Sequence, residues 1–95
     1  MIYMTGGGTA GESKAEDLIE LGVFYFLNGR LAKAIEVLSQ ARDLAPQNAE
    51  VFYNLGLVYE ARNSFREARD MYEQALKLAP GHKAAKAHLD KLVGV

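Results

Sequence analysis

The chain has no cysteine, only two prolines and almost no excess of either charge. Without cysteine it forms neither disulfides nor thiolate metal sites. Its 11 basic and 12 acidic residues leave a formal net charge of -1, which gives no electrostatic reason to expect nucleic acid or an anionic membrane as partner. The most apolar run, residues 18–27, contains Glu20 and is half the length of the roughly 20 residues that span a bilayer. We therefore expect one small soluble domain without membrane insertion, most simply in the cytoplasm.

The two prolines, Pro46 and Pro80, lie 34 residues apart and end an internal repeat. The segment "ELGVFYFLNGRLAKAIEVLSQARDLAP", residues 20–46, aligns without gaps to "NLGLVYEARNSFREARDMYEQALKLAP", residues 54–80. A fixed period of this length is typical of a helix–turn–helix unit that stacks on its neighbours. Identical residues recur in the columns Leu21 and Leu55, Gly22 and Gly56, Tyr25 and Tyr59, Ala34 and Ala68, and Ala41 and Ala75.

Local signals predict where the helices begin and end. "SKAE" at 13–16 and "SFRE" at 64–67 fit capping boxes, and Asn48 fits an N-cap. The dipeptides "NG" at 28–29 and "NS" at 63–64 fit the turns within each repeat. The Gly- and Thr-rich residues 1–13 are predicted to be a flexible leader. We predict helices near 14–28, 31–44, 49–62 and 65–79, and a fifth over "HKAAKAHLDKLV".

The repeated columns resemble the tetratricopeptide repeat (TPR) family, in which Leu, Gly and Tyr mark a first helix and two alanines a second, with Pro ending the unit. The resemblance implies an all-α fold, a right-handed array of TPR helical hairpins forming an α–α superhelix of about five helices. Two full repeats, 14–46 and 47–82, would be followed by a C-terminal capping helix over 83–95.

The same resemblance implies a noncatalytic protein–protein interaction module that binds a peptide or partner helix in a concave groove lined by the first helices. The rim of that groove would be acidic. The candidate ligand-groove residues are Ile19, Val23, Phe26, Leu27, Tyr53, Asn54, Leu57 and His88, and the acidic rim residues are Glu16, Glu20, Glu50 and Glu60.

One branch of the family grips the C-terminal carboxylate of chaperones with a clamp of lysine, asparagine and arginine side chains. Of the clamp places, only Asn54 carries a matching residue. The remaining places hold Ile19, Val23, Ala84 and His88. We therefore predict that this chain lacks the clamp.

We find no arrangement of residues that predicts an enzyme, a cofactor or a metal site. His82 and His88 are six residues apart, which places them about 240° apart on a helix, so they would not share a metal from one face. The stretch "GGGTAGES" has the glycine spacing of a phosphate loop, but Glu12 stands where the phosphate-binding lysine is needed.

Two other hypotheses about function stay open. A bare apolar groove would be a large patch for a monomer, so a protein partner, a second copy or the segment "MIYM" is expected to cover it. The alternative function is a self-associating structural scaffold, a homodimer or higher assembly formed through the groove and the open helix ends. The chain could also be a slice of a longer array, or a regulatory domain within a larger enzyme.

Overall fold

The computed structural model describes residues 10–94, with side chains from Ser13 onward. The regular elements in this range are five α-helices, which form two hairpins, α1–α2 and α3–α4, and a final helix that packs on α4. This arrangement confirms the predicted all-α helical-hairpin fold. The helices are α1 (Ala10–Leu27), α2 (Leu31–Leu44), α3 (Ala49–Ala61), α4 (Phe65–Leu78) and α5 (Lys83–Val93).

The first helix begins earlier than its sequence signals predict. It starts at Ala10, so Ser13 lies inside the helix and does not act as its N-cap. Residues 10–13 of the predicted leader are therefore helical, while residues 1–9 lie outside the described part of the chain. Ser64 does stand at the N-cap of α4, but its side chain makes no capping hydrogen bond, so that capping box does not form. Asn48 caps α3 as predicted, accepting a hydrogen bond from the Glu50 backbone N–H at 2.9 Å.

Both hairpins turn through the same backbone motif at equivalent positions. Gly29 has φ +77° and Asn63, 34 residues later, has φ +65°. The backbone N–H of Arg30 donates to the carbonyl of Tyr25, and that of Ser64 donates to Tyr59, each at 2.9 Å. This is the Schellman arrangement, which needs a left-handed residue just beyond the helix. Glycine and asparagine are the residues that adopt that conformation at least cost.

The core consists of two apolar clusters, one in each half of the array. The first joins α1, α2 and α3, and the second joins α3, α4 and α5. Within α5, Leu89 and Leu92 pack against the second cluster, whereas Val93 is 48% exposed. The buried residues are Ala15, Ala34, Leu38, Ala41, Val51, Leu55 and Val58 in the first cluster, and Phe52, Ala68, Tyr72, Ala75 and Ala85 in the second.

None of the helices within residues 10–94 is long and apolar enough to cross a membrane.

Candidate functional site

Helices α1 and α3 run parallel, and their described residues line two concavities in the groove between them. The acidic end, about 430 Å³, lies beside the N-terminal part of α3 and includes Glu16, Glu20 and Glu50. The apolar end, about 270 Å³, lies where both helices finish and includes Phe26, Leu57 and Ala61. Residues of α1 face residues of α3 about 34 positions later at both ends, which fixes the two helices as parallel. The remaining lining residues are Ile19 and Asn48 at the acidic end, and Glu60 and His88 at the apolar end.

The groove gathers some of the predicted ligand residues but not all of them. Ile19 lies at the acidic end, and Phe26, Leu57 and His88 meet at the apolar end. Leu27, the last residue of α1, is 76% exposed and lines neither concavity. Val23, Tyr53 and Asn54 also stand outside the linings of the two concavities, and Val23 is half-buried.

Tyr53 and Asn54 make contacts within the chain instead. The Tyr53 ring lies 4.7 Å from the His82 ring and 6.0 Å from the His88 ring, centroid to centroid. Its side chain therefore packs on α5. The Asn54 side-chain amide donates to the Glu50 carbonyl of its own helix at 2.8 Å. That bond uses one of the two amide N–H groups of the residue that matched the carboxylate clamp.

Glu60 holds three helices together at the apolar end of the groove. Its Oε1 accepts a hydrogen bond from the Tyr72 hydroxyl of α4 at 2.7 Å. The same oxygen accepts one from Nδ1 of His88 on α5 at 3.1 Å. Its Oε2 lies 2.9 Å from the Lys91 ammonium, also on α5. The His88 ring stacks on the Tyr72 ring with centroids 5.3 Å apart, so polar and aromatic contacts act on the same pair of helices.

This network keeps the Glu60 carboxyl ionised and the Tyr72 hydroxyl protonated. Burial alone would raise the pKa of Glu60, but the hydrogen bonds from Tyr72, Lys91 and His88 outweigh it, so its pKa lies below the usual value. Burial raises the pKa of Tyr72, and the hydrogen bond to the Glu60 carboxylate raises it further. The carboxylate therefore acts as a fixed acceptor for three donors.

His82 fixes the start of α5 and connects it to α3. Its Nδ1 accepts a hydrogen bond from the Ala85 backbone N–H at 3.1 Å, which makes it the N-cap of α5. The proton therefore sits on Nε2, which donates to Glu50 Oε2 at 2.6 Å. Since His82 precedes the helix, the helical angle that separates it from His88 in the sequence does not apply. Both imidazole rings contact Tyr53, although no group of three His, Asp or Glu side chains among the described residues is placed to hold a metal.

Sequence reasoning missed the Glu60 network, although the repeat columns carry a signal for it. Phe26 and Leu38 in the first repeat become Glu60 and Tyr72 in the second. A buried tyrosine hydroxyl needs a hydrogen-bond partner, and a carboxylate on a facing helix supplies one. The paired change from two apolar residues to an acceptor and a donor therefore predicts contact between these columns.

A family model described as "Tetratricopeptide repeat" matches residues 15–80. Together with the five-helix hairpin fold, this match shows that the chain belongs to the tetratricopeptide repeat family. Tetratricopeptide repeat domains generally mediate protein–protein interaction, and the fold is generally noncatalytic.

The proteins to which this chain is similar differ in their descriptions and in their length. The mouse protein O-mannosyl-transferase TMTC1 is 40% identical over 62 residues, which is 65% of this chain and 7% of the mouse protein. The photosystem I assembly protein Ycf3 of a Synechococcus strain is 28% identical over 72% of this chain, which spans 47% of that relative. The chain thus spans less than half the length of these two relatives.

A solved structure shares the fold. The second TPR domain of Spaghetti (RPAP3), bound to the HSP90 peptide SRMEEVD, superposes with a TM-score of 0.84 at 22% identity. The match covers 87% of this chain and 77% of that one.

Proposed function

We propose that this chain is a noncatalytic interaction module that binds a segment of another protein in the groove between α1 and α3. The observation that carries the proposal is the apolar end of the groove, an open concavity lined by Phe26, Leu57 and Ala61. A concave apolar surface between parallel helices suits an extended or helical segment that inserts a large side chain.

The proposed partner differs from an acidic peptide such as SRMEEVD, which the RPAP3 domain binds. Ile19 and Val23 stand at clamp places and donate no hydrogen bond to a carboxylate. The Asn54 amide donates to its own helix, and Nδ1 of His88 donates to Glu60. A carboxylate ligand would also approach Glu16, Glu20 and Glu50 at the opposite end of the groove, and like charges repel it.

The noncatalytic part of the proposal rests on how the polar side chains are used. Glu60, His88 and Tyr72 have the residue types of an acid–base site. Their hydrogen bonds, however, are made to one another and join α3, α4 and α5. We infer that the set stabilises the docking of α5 and does not carry out proton transfer on a substrate.

Two variants, each of which replaces an exposed alanine by glutamine, test the binding site. Ala61→Gln fills the apolar end of the groove at an exposed position and removes no core contact. We expect it to weaken the binding of a captured protein partner by about tenfold in direct titration, which corresponds to about 1.4 kcal/mol of binding free energy. The matched control is Ala32→Gln, at an exposed position on α2, which should bind as the native chain does. Equal affinity of the two variants would contradict the proposed groove.

The self-association hypothesis is favoured by apolar residues outside the groove. Phe24 on α1 is 59% exposed, and Phe65 at the start of α4 is 51% exposed. Sedimentation velocity from low to high micromolar concentration separates this hypothesis from the first. A monomer throughout would exclude assembly, whereas a dimer that Phe24→Ser dissociates would establish it.

A further inference from the structure

We propose that the segment bound in the groove is cationic, with lysine or arginine next to its apolar anchor. This inference rests on the proposed function and names the chemistry of the partner. It depends on the way in which charge is distributed along the groove between α1 and α3.

Among the described residues, those that line the acidic end of the groove include three carboxylates and no basic side chain. Glu16, Glu20 and Glu50 line it together with Ile19 and Asn48. Glu16 and Glu20 make no ion pair among the described residues, and Glu50 pairs with His82 while its side chain stays 58% exposed. A ligand that brings positive charge to this end therefore meets two carboxylates on α1 without an ion-pair partner among the described residues, and an exposed third one on α3.

The helix dipole does not account for the two carboxylates of α1. Glu50 lies in the first turn of α3, where a negative charge is favourable. Because α1 begins at Ala10, Glu16 and Glu20 lie beyond its first turn, where this effect has faded. They are also four residues apart on one helix face, an arrangement in which like charges disfavour the helix. Local helix stability thus gives no reason for two acidic residues at these positions.

The basic residues nearby are directed elsewhere. Lys14 precedes Glu16 by two residues, so it projects from the other side of α1. Lys91 pairs with Glu60 beside the apolar end. The groove therefore changes along its length from an end with three exposed carboxylates to an apolar end where Glu60 is paired with Lys91.

The distance between the two ends sets the spacing that we expect in the ligand. Glu20 and Phe26 are six residues apart on α1, or about 9 Å along the helix axis. An extended segment covers about 9 Å in roughly three residues. We therefore expect a cationic residue about three positions from the apolar anchor when the ligand is extended.

A random dodecapeptide library displayed on phage tests this chemistry directly, because selection from such a library needs no identified partner. We expect selection on the native chain to enrich peptides that combine Lys or Arg with Leu, Ile or Phe. Enriched peptides that are acidic or uncharged would overturn the inference and leave the proposed function standing. The proposed function itself fails if none of the enriched peptides binds the Ala61→Gln variant more weakly than the native chain.

Charge reversal then tests the position of the cationic contact. In the double variant Glu16→Lys with Glu20→Lys, the affinity for the best cationic peptide should fall by about tenfold or more in fluorescence titration. The reason is that two side chains that attract the peptide's positive charge are replaced by two that repel it. The control reverses Glu36 and Glu73, exposed on α2 and α4, and changes the net charge by the same amount. Equal weakening by both variants would mean that only net charge matters, and would overturn the inference. Circular dichroism confirms that both variants fold.

Discussion

Two glycines set how closely the helices of each hairpin approach. A Cβ added at Gly56 would overlap the Tyr72 ring, and one added at Gly22 would lie 2.5 Å from Cγ of Leu38. The family's glycine column is thus explained by contact with the large residue on the second helix. The helix interior alone would favour alanine at both positions.

Gly56→Ala should lower the free energy of unfolding by about 1–3 kcal/mol, because the Tyr72 ring must shift and strain its hydrogen bond to Glu60. Urea denaturation followed by circular dichroism measures the change. The control is Gly81→Ala, where an added Cβ meets nothing within 4 Å and φ is not positive. A Gly56→Ala protein as stable as the Gly81→Ala protein would show that the helices can separate freely.

Glu60 gives the fold a specific dependence on acid pH. Its pKa in the folded protein is lowered from the usual value of 4.5, so the stability that its ionised form contributes is present above that value. That contribution is lost as the pH falls through the lowered folded pKa. Glu60→Gln keeps an acceptor oxygen but loses the charge, and should be about 1 kcal/mol less stable at pH 7.

The stability difference between the native chain and Glu60→Gln should shrink as the pH is lowered below 4.5, because the protonated native residue then resembles glutamine. Urea titrations at a series of pH values measure it. Glu73→Gln, at an exposed position on α4, is the matched control. A stability difference between the native chain and Glu60→Gln that stays constant with pH would refute the role assigned to the carboxylate.

Helices α1 and α3 carry the same pattern but have different neighbours. Leu21 and Leu55 share a column, yet Leu21 is 39% exposed and Leu55 is fully buried. Phe24 and Val58 share another, at 59% and 1% exposure. The reason is that α3 packs against α2 of the preceding hairpin, while within residues 10–94 no helix precedes α1.

This difference between the two helices predicts unequal effects of the same substitution. Leu55→Ala should cost about 2–5 kcal/mol of unfolding free energy, the range for a buried leucine. Leu21→Ala should cost less than about 1 kcal/mol, because the side chain is already partly in water. Urea denaturation of the two variants and of the native chain measures both losses. Equal losses would indicate that another part of the molecule covers Leu21.

Across the whole array, the sequence predicts the repeat architecture and much of the fold. The 34-residue period, the two prolines and the Asn-Gly turn give four helices within one or two residues of their observed ends, apart from the start of α1. That start is shifted because "SKAE" carries the pattern of a cap while residues 10–12 are also compatible with a helix. A local pattern does not decide between an internal Ser and a capping Ser.

The candidate site was less predictable than the fold. The repeat columns place Ile19, Phe26 and Leu57 along the groove, and the structure brings Phe26 and Leu57 to one concavity. The same columns place Tyr53 there, but it packs on the imidazole of His82, which caps α5 at the position that Asn48 holds before α3. Ile19, in the column of Tyr53, lies beside Asn48 and lines the groove, whereas Tyr53 meets an imidazole at the equivalent place and packs on it. The period therefore predicts which positions face each other, but the side chain at the facing position decides whether a residue stays in the groove.

The helices, the pairing of hairpins and the family follow from the amino-acid order alone, because helical period and small-residue columns act within one repeat. The separation of the groove into an acidic and an apolar end, and the junction of α3, α4 and α5 at Glu60, arise only when the helices pack together. Charge pairing and burial depend on which helix lies alongside, and a repeated sequence gives equivalent residues the same pattern but not the same neighbours.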